Sequence, residues 1–449
     1  PTYKYSKENY EVDIPNETRV LIESYLHEDE PPKWHNIVFL DIECEIGGAL
    51  TPENIKNSPT KITSIALYDK STQQTICYIL DESKSMESIE EEDKSIIACY
   101  TEKELLLKFL DKWEELDPTI IVGWNSEFFD IPYLYFRILR VFDAKTASRL
   151  SPLRTIGNLN QYGAVTTVES QKMSKDYVDL AGINHLDYFN LFKKYITKQE
   201  PSYKLGDIGE KYVNLGKIKY EVSLDKLFKE DKAKFIDYNI RDVELVAQFE
   251  GKLGLIDLQL TMAYDFRVNY EDVFSQVRCW DMLIYNTLRK KGIVIPPKRS
   301  FAKNEAYAGA YVKDPTVGQH DWVVSFDLNS LYPHLIMQYN ISPDTVVEER
   351  VQCTVDELLE QKLDTSHLKE RNLCMSANGQ CFRTDFQGLL PAMMEELYES
   401  RKFYKKKMLE AEQEYEITKK ASLKNDIARY GNIQLAKKIA LNSAYGALG

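Results

Sequence analysis

The acidic residues Asp41 and Glu43 end a nearly continuous apolar run, residues 36–43. Such a run is typical of a buried strand, and residues two positions apart in a strand point to the same face. The two carboxylates therefore project together, and like charges at this spacing repel each other unless a cation neutralises them. The pair is a candidate metal site.

Two further carboxylates could complete this site. Asp130 lies at a predicted strand-to-helix junction, and Asp242 lies four residues after Tyr238, on the same face of a predicted helix. Taken singly, each pattern is common, because D-x-E arises by chance and an aspartate before a helix is usually a cap. Four carboxylates on three elements of one domain are nevertheless what two-metal phosphoryl-transfer chemistry requires, with cations about 3.5–4 Å apart.

A second candidate site follows the apolar segment 323–326. This segment predicts a strand that delivers the carboxylate of Asp327, with a turn over residues 330–333 after it. The end of the chain predicts an αα-hairpin, in which a long helix over residues 390–420 is followed by a polar turn around 422–425 and a second helix.

Polar and cationic side chains recur on this hairpin at helical spacing. Arg401 and Lys405 are four residues apart on its first helix. Lys438, Asn442 and Tyr445 follow one another by four and three residues on the second, so each set shares one face. A basic helix face is most often a solvated surface, and the first helix taken alone favours that interpretation.

Strands and helices alternate before this hairpin. Through about 36–255 the alternation indicates an α/β domain, in which the first three strands form a meander. Thr101 is a candidate N-cap, and a hairpin is expected around Tyr162–Gly163. The predicted strands are 36–43, 61–69, 74–80 and 119–125, and the predicted helices are 101–116, 130–142, 185–195, 203–212, 234–253, 256–268 and 275–292.

Composition restricts the function only weakly. The net charge of −13 argues against nucleic-acid binding, but the distribution of charge matters more than its total. Residues 81–95 are acidic and predict a solvated loop, whereas residues 401–407 are basic. No apolar run reaches the roughly 18 residues of a membrane span. The scattered cysteines imply neither a zinc ribbon nor a disulfide framework, so a reducing cytosol fits best.

In chain order, five segments resemble the motifs of family B DNA polymerases. The exonuclease motifs D-x-E, N-x-x-x-F-D and Y-x-x-x-D correspond to residues 41–43, 125–130 and 238–242, and the polymerase motifs D-x-x-S-L-Y-P and K-x-x-x-N-S-x-Y-G correspond to 327–333 and 438–446. The resemblance covers almost the whole chain. Segments such as 146–152 and 306–313 are most similar to the T-even-type bacteriophage branch.

The resemblance implies a 3′→5′ exonuclease with an RNase H-like fold and two divalent cations per active site, Mg²⁺ or alternatively Mn²⁺. The implied residues bind metal, act on the scissile phosphate or touch DNA. Asp41, Glu43, Asp130 and Asp242 would bind the metals; Tyr238 would orient the attacking water; Lys217 would lie near the scissile phosphate; Asn125 and Phe129 would contact DNA.

The resemblance also implies a partial polymerase palm and fingers formed by the helical hairpin. Asp327 would bind both catalytic metals, and Tyr332 would lie beneath the incoming sugar and select deoxyribose. The remaining residues would contact the dNTP or the DNA: Leu328, Ser330, Leu331, Arg401, Lys405, Lys438, Asn442 and Tyr445 the dNTP, and Tyr307, Gly309 and Gly446 the DNA.

The family pattern is incomplete here. Its second polymerase carboxylate comes from a D-T-D hairpin, and no aspartate after Asp327 lies in a D-x-D on an apolar strand. We therefore expect a fragment or a split-gene subunit, with the rest of the palm and the thumb on a second polypeptide or a missing C-terminal part. The expected divisions are 1–35 (remnant of an N-terminal domain), 36–255 (exonuclease), 256–298 (helical linker), 299–388 (partial palm) and 389–449 (fingers).

The favoured function is template-directed DNA synthesis with proofreading, in phage-type DNA replication in the host cytoplasm and away from membranes. Primer–template DNA, dNTPs and, in the complete enzyme, a sliding clamp would be the partners. Two alternatives stay open: a stand-alone 3′→5′ exonuclease with a vestigial polymerase half, and a non-catalytic DNA-binding subunit. The intact carboxylates argue against the non-catalytic subunit. The vestigial polymerase half is disfavoured by four intact residues: Arg401, Lys438, Asn442 and Tyr445.

Overall fold

The computed structural model describes residues 11, 14–25, 35–45, 51–159, 165–166, 178–295 and 312–448. The chain divides into two compact units, which we call the sheet unit (30–260) and the hairpin unit (1–29 with 261–449). Among the described residues, no helix is both long and apolar enough to cross a membrane.

The regular elements are numbered in chain order. The strands are β1 (Ile37–Cys44), β2 (Ile62–Asp69), β3 (Gln74–Leu80), β4 (Ile89–Glu90), β5 (Lys94–Cys99), β6 (Ile120–Val122), β7 (Asn158–Leu159), β8 (Val165–Thr166), β9 (Asn184–His185), β10 (Val346–Arg350), β11 (Leu373–Met375) and β12 (Gln380–Arg383). The helices are α1 (Asn16–Tyr25), α2 (Pro52–Asn57), α3 (Glu102–Leu116), α4 (Asp130–Val141), α5 (Ala144–Ala147), α6 (Tyr188–Tyr195), α7 (Leu205–Val213), α8 (Leu224–Glu230), α9 (Lys232–Leu253), α10 (Leu255–Phe266), α11 (Gln276–Lys290), α12 (Leu331–Gln338), α13 (Val355–Leu359), α14 (Ser366–Glu370), α15 (Leu389–Thr418) and α16 (Ser422–Leu448).

A mixed sheet forms the centre of the sheet unit, with strand order β4-β5-β3-β2-β1-β6-β9. β1, β2 and β3 are antiparallel neighbours, so the predicted meander is confirmed, and β6 runs parallel to β1 on its other side. The first half of β1 and nearly all of β2 are buried, and this burial accounts for the almost continuous apolar sequences of both strands. β7 and β8 pair antiparallel on either side of the predicted hairpin, whose tip lies outside the described residues.

Helices cover both faces of this sheet, so the predicted α/β content is confirmed. α3 and α4 pack against the even-numbered side chains of β1, including Val38 and Leu40, in one apolar cluster. α9 packs against Cys77 and Ile79 of β3 on the opposite face. Because side chains alternate along a strand, the odd-numbered residues of β1 face the side of α9.

Local sequence signals set several helix ends. The predicted N-cap is confirmed, because the Thr101 side chain accepts a hydrogen bond from the backbone N–H of Glu104 at the start of α3. α4 begins at Asp130, as predicted. α9 ends where Gly254 takes a left-handed conformation, with φ of 60°.

In the hairpin unit, α15 and α16 form the predicted helical hairpin, with Tyr404 and Tyr430 facing each other across it at a ring-centroid distance of 6.2 Å. α11 packs against the base of this hairpin. Its buried Trp280 donates an indole N–H to the carbonyl oxygen of Ala440 at 3.2 Å. A small sheet, in the order β10-β12-β11, precedes the hairpin.

Three local predictions for this unit are wrong. Residues 323–326 form no strand, because none of the described residues pairs with their backbone, and apolar sequence without a neighbouring strand does not make one. Residues 330–333 are not a simple turn: Ser330 takes a left-handed conformation and α12 begins directly after it. The hairpin turn lies at 419–421 rather than 422–425, because Lys419 adopts a left-handed C-cap, with φ of 53°, and ends α15.

Candidate functional site

Three of the carboxylates predicted to bind metal lie together in the sheet unit. Asp41 and Glu43 project from β1 and Asp242 from α9, and one carboxylate oxygen of each lies within 4.8 Å of the others. Asp242 is buried, and Asp41 and Glu43 are half-buried. β1 lies between β2 and β6, so its neighbours on both sides fix the backbone that carries two of the three groups.

Burial and mutual repulsion make this cluster electrostatically unfavourable when it is fully ionised. Burial, followed by the charges of Asp130 and Asp242, raises the pKa of Asp41 well above its ordinary value. Burial and the charge of Asp242 raise the pKa of Glu43 to about 8. Burial also raises the pKa of Asp242. The cluster therefore needs positive charge if all three groups are to be anionic at neutral pH.

Lys217 supplies part of that charge. Its ammonium forms an ion pair with Asp242 and donates a hydrogen bond to the Tyr238 hydroxyl at 3.0 Å. Burial lowers the pKa of Lys217, but the charges of Asp242 and Tyr238 outweigh burial and raise it on balance, so the ammonium stays protonated. The structure thus brings Lys217 together with both residues of the Y-x-x-x-D pattern.

Asp130, the fourth predicted ligand, is buried beside the cluster but is not part of the three-carboxylate group. Its Oδ1 accepts a hydrogen bond from the backbone N–H of Ile42 at 2.9 Å. Burial raises the pKa of Asp130 to about 7, and its charge in turn acts on Asp41. One oxygen of Asp130 is therefore committed to the backbone of β1.

The chemistry of the cluster fits a divalent cation. Its donors are carboxylate oxygens, which Mg²⁺ and Mn²⁺ favour. Oδ1 of Asp242 is buried without a hydrogen-bond partner among the described residues. A buried anionic oxygen in this state is unfavourable until a cation or a donor meets it.

The stability of the metal-free chain should fall as the pH rises from about 5 to about 8. A carboxyl group with a raised folded-state pKa stabilises the fold fully below its unfolded pKa, and this stabilisation is lost as the pH rises through the folded value. For Glu43 that window runs from 4.5 to about 8. We expect the unfolding temperature to drop by about 5 °C across it, and Glu43→Gln to flatten the dependence. A wild-type profile that matches Glu43→Gln would contradict the prediction.

The loop that carries Asn125 is held by Asp187, which the sequence analysis did not single out. The buried carboxylate of Asp187 accepts backbone N–H bonds from Asn125 at 2.9 Å and from Glu127 at 3.1 Å, and caps α6 through Phe189 at 2.9 Å. Asn125 is exposed, with φ of 65°, and Phe129 is half-buried. Sequence reasoning missed Asp187 because the predicted helix 185–195 already included it, whereas α6 begins at Tyr188 and makes Asp187 its N-cap.

In the hairpin unit, the structure brings Tyr332 and Tyr445 together. Their rings stack with centroids 4.8 Å apart and planes at 10°, and 46% and 47% of the two residues is exposed. The contact joins α12 to α16 and therefore links two segments predicted to form one site. Two stacked and half-exposed rings offer a flat surface that can pack against a sugar or a base.

Asp327 is separate from any carboxylate cluster. It is exposed, and among the described residues the only group with metal-binding spacing is the one in the sheet unit. Leu328 and Leu331 are exposed and Ser330 is half-buried beside it. This region therefore provides one carboxylate where two-metal chemistry needs more.

The polar and cationic side chains predicted on the hairpin differ in exposure. Lys405, Lys438 and Asn442 are exposed. Arg401 is half-buried, and its Nε has no hydrogen-bond partner among the described residues. Such a buried donor is available for an acceptor brought by a ligand.

Of the predicted DNA contacts Tyr307, Gly309 and Gly446, only Gly446 lies among the described residues. A Cβ added to Gly446 would meet nothing within 4 Å, so packing among the described residues does not demand glycine there. Tyr307 and Gly309 lie outside the described residues. Their assignment stays a prediction.

Comparisons with known proteins give one family for both parts of the chain. The family described as DNA polymerase family B, exonuclease domain, matches residues 1–208, and DNA polymerase family B matches residues 271–449. The DNA-directed DNA polymerase of Escherichia phage RB69 is 38% identical over 320 residues, which are 71% of this chain and 34% of that protein. The corresponding protein of Enterobacteria phage T4 is 30% identical over 392 residues, 78% of this chain and 42% of that protein.

A more distant relative is also named as a DNA polymerase. The DNA polymerase delta catalytic subunit of Caenorhabditis elegans is 23% identical over 450 residues, 96% of this chain and 39% of that protein. The chain spans between 34% and 42% of the length of these three relatives. Asp41, Glu43 and Asp130 fall inside the exonuclease match, and the polymerase match holds Tyr332 and Tyr445. The chain belongs to DNA polymerase family B.

Proposed function

We propose that the sheet unit is a 3′→5′ exonuclease that removes nucleotides from a primer end, within an enzyme that synthesises DNA on a template. The observation that carries this proposal is the convergence of the three carboxylates with Lys217 and Tyr238. A central β1 between antiparallel β2 and parallel β6, with helices on both faces, supports an RNase H-like fold. The two phage relatives are named DNA-directed DNA polymerases, which supports the wider activity. We also propose that the enzyme acts in the cytoplasm of a host cell.

In functional terms, we infer the divisions expected from the motifs. These are 1–35 (remnant of an N-terminal domain), 36–255 (exonuclease), 256–298 (helical linker), 299–388 (partial palm) and 389–449 (fingers).

The residues of the sheet unit have distinct roles in this proposal. Asp41, Glu43 and Asp242 would hold divalent cations, with Asp130 beside them, and a bound pair would stabilise the attacking and leaving oxygens of phosphodiester hydrolysis. The Tyr238 hydroxyl accepts a hydrogen bond from the Lys217 ammonium, so the hydroxyl's own proton is free to face the attacking water. The Lys217 ammonium adds positive charge where the phosphate becomes more negative.

End-labelled single-stranded DNA tests the polarity and the metal requirement together. With Mg²⁺, a 5′-labelled strand should shorten stepwise, whereas a 3′-labelled strand should release its label at once as a mononucleotide. EDTA should stop both reactions. Digestion in EDTA, or early release of the 5′ label, would contradict the proposal.

For the hairpin unit we propose a dNTP site formed by Asp327, the Tyr332–Tyr445 stack and the cations of the fingers. Arg401 and Lys438 would pair with the triphosphate, because phosphates need charged donors. The stack and the unpartnered Nε of Arg401 support a functional site over a vestigial one.

The polymerase site also needs further chain. The segment 322–328 is exposed and mostly apolar, with Trp322 97% and Phe326 90% accessible, and none of the described residues pairs with its backbone. Exposed backbone that makes no strand pairing can accept a neighbouring strand. We propose that a second polypeptide, or a C-terminal part of the same one, pairs here and brings the second polymerase carboxylate and the thumb. A sliding clamp would join the complete enzyme.

Removing the Tyr332 ring should relax sugar selection. In an enzyme assembled with that additional part, Tyr332→Ala should raise incorporation of ribonucleotides relative to deoxyribonucleotides by about 100-fold, because the ring no longer excludes the 2′-hydroxyl. Primer extension with each nucleotide type measures the ratio, and Tyr430→Ala, farther along the hairpin, is the control. Unchanged selection would refute the role of Tyr332.

A further inference from the structure

The buried side-chain amide of Asn239, on α9, contacts the carboxylate cluster proposed to bind metal. Asn239 of α9 is fully buried, three residues before Asp242. Its Nδ2 donates a hydrogen bond to Oδ2 of Asp41 at 2.7 Å, and its Oδ1 accepts one from Oγ of Ser64 at 2.6 Å. Ser64 lies on β2 directly opposite Glu43. The side chain of Asn239 therefore connects α9 to β1, which carries Asp41, and to the neighbouring strand β2, which carries Ser64.

The direction of these hydrogen bonds is fixed by chemistry. An amide oxygen only accepts and an amide nitrogen only donates, so Ser64 must give its single proton to Asn239. The contact of 3.3 Å between Ser64 Oγ and Cys77 Sγ then has the thiol as its donor. Burial raises the pKa of Cys77 to about 12, which keeps that thiol protonated. The chain of donors runs from Cys77 through Ser64 and Asn239 and ends on Asp41.

We propose that Asn239 is a positioning residue of the exonuclease site, and that Ser64 sets the direction in which its amide points. The amide holds one oxygen of Asp41 and leaves the other to face a cation. Without Ser64 the amide could turn over and present its oxygen to the carboxylate, which would repel it. This inference rests on the proposed function of the sheet unit.

The alternative is that Asn239 only fills space between α9 and the sheet. The two roles differ in what they affect. A packing residue changes the free energy of unfolding, whereas a group that orients a metal ligand changes metal affinity, typically by 10- to 100-fold. Metal affinity is therefore the discriminating measurement.

The test uses three single variants of the whole chain. Asn239→Leu keeps the volume and removes the hydrogen bonds, Ser64→Ala removes the constraint on the amide, and Gln248→Ala removes an exposed amide from the same helix as a matched control. Mn²⁺ binding is measured by electron paramagnetic resonance, with the Asp41→Ala, Glu43→Ala double variant defining the signal from this site. The Mg²⁺ dependence of digestion then separates half-saturating concentration from maximal rate.

We expect Asn239→Leu to weaken Mn²⁺ binding by about 10-fold or more, Ser64→Ala to weaken it by about threefold, and Gln248→Ala to leave it unchanged. The half-saturating Mg²⁺ concentration should rise in the same order, while the maximal rate changes less.

Wild-type Mn²⁺ affinity in a folded Asn239→Leu would overturn the inference. If that variant does not fold cooperatively, Ser64→Ala decides: weaker binding with an unchanged metal-free unfolding temperature supports the inference, and equal binding overturns it. If the wild-type chain binds no Mn²⁺ beyond the double variant, the proposed metal site itself fails, and the inference fails with it.

Discussion

Alanine at both Asp41 and Glu43 should reduce Mg²⁺-dependent digestion of single-stranded DNA by at least about 1,000-fold. The two residues provide two of the three carboxylates that lie within 4.8 Å of one another, and Asp242 alone cannot hold a cation pair. The metal-free fold should survive the change, because removing two like charges from a buried cluster relieves repulsion. Thermal unfolding in EDTA and the initial rate of digestion measure the two effects separately.

Asp327→Ala is the matched control for this double variant. Asp327 is exposed and belongs to the hairpin unit, so its loss should leave digestion at the wild-type rate. Retained digestion by the double variant would refute the metal assignment. Loss of digestion in the control would instead refute the assignment of digestion to the sheet unit alone.

Lys217→Met should lower the rate of digestion at saturating Mg²⁺ by about 100-fold. The ammonium pairs with Asp242 and orders the Tyr238 hydroxyl, so its removal disturbs both the charge near the phosphate and the group that faces the water. Cation affinity should not weaken, because a competing positive charge leaves the site. Lys217→Met should thus lower the rate without weakening cation binding, whereas Asn239→Leu should weaken cation binding with a smaller change in the maximal rate.

Lys219→Met is the control for Lys217. Lys219 lies two residues further along the chain, and 91% of its side chain is exposed. Single-turnover digestion of both variants, together with Mn²⁺ titration, gives the comparison. A Lys217→Met rate within about threefold of the Lys219→Met rate would show that the ammonium has no part in the chemistry.

The cluster of Asp41, Glu43 and Asp242 could be predicted from the sequence because local geometry places its members. Strand alternation puts Asp41 and Glu43 on one face, and helical spacing puts Tyr238 and Asp242 on another. Spacing alone does not predict that this face of β1 meets this face of α9. The meeting depends on the packing of α9 against the sheet through apolar residues such as Ile236, which belongs to the apolar cluster that includes Cys77 and Ile79.

The residues missed by sequence reasoning act across long separations. Asn239 reaches Asp41, 198 positions away, and Asp187 reaches Asn125, 62 positions away. A buried amide and a helix cap have no distinctive pattern in one sequence, because their partners are set by tertiary structure. The failed strand at 323–326 has the same origin, since strand formation depends on a neighbour that the segment itself does not encode.

The two units consequently differ in how complete their sites are. The sheet unit contains carboxylates, a compensating ammonium and the contacts that orient them. The hairpin unit contains exposed groups, and its Asp327 has no carboxylate partner among the described residues. We therefore expect this chain to digest DNA and not to extend it.

The most direct test is a gel assay of the purified chain on a 5′-labelled primer–template with Mg²⁺, with and without dNTPs. Shortening of the primer in both lanes is the predicted result, and it would establish an active exonuclease beside a polymerase site that needs further chain. Extension with dNTPs would contradict the incompleteness of the polymerase site. A primer of unchanged length in both lanes would contradict the exonuclease itself.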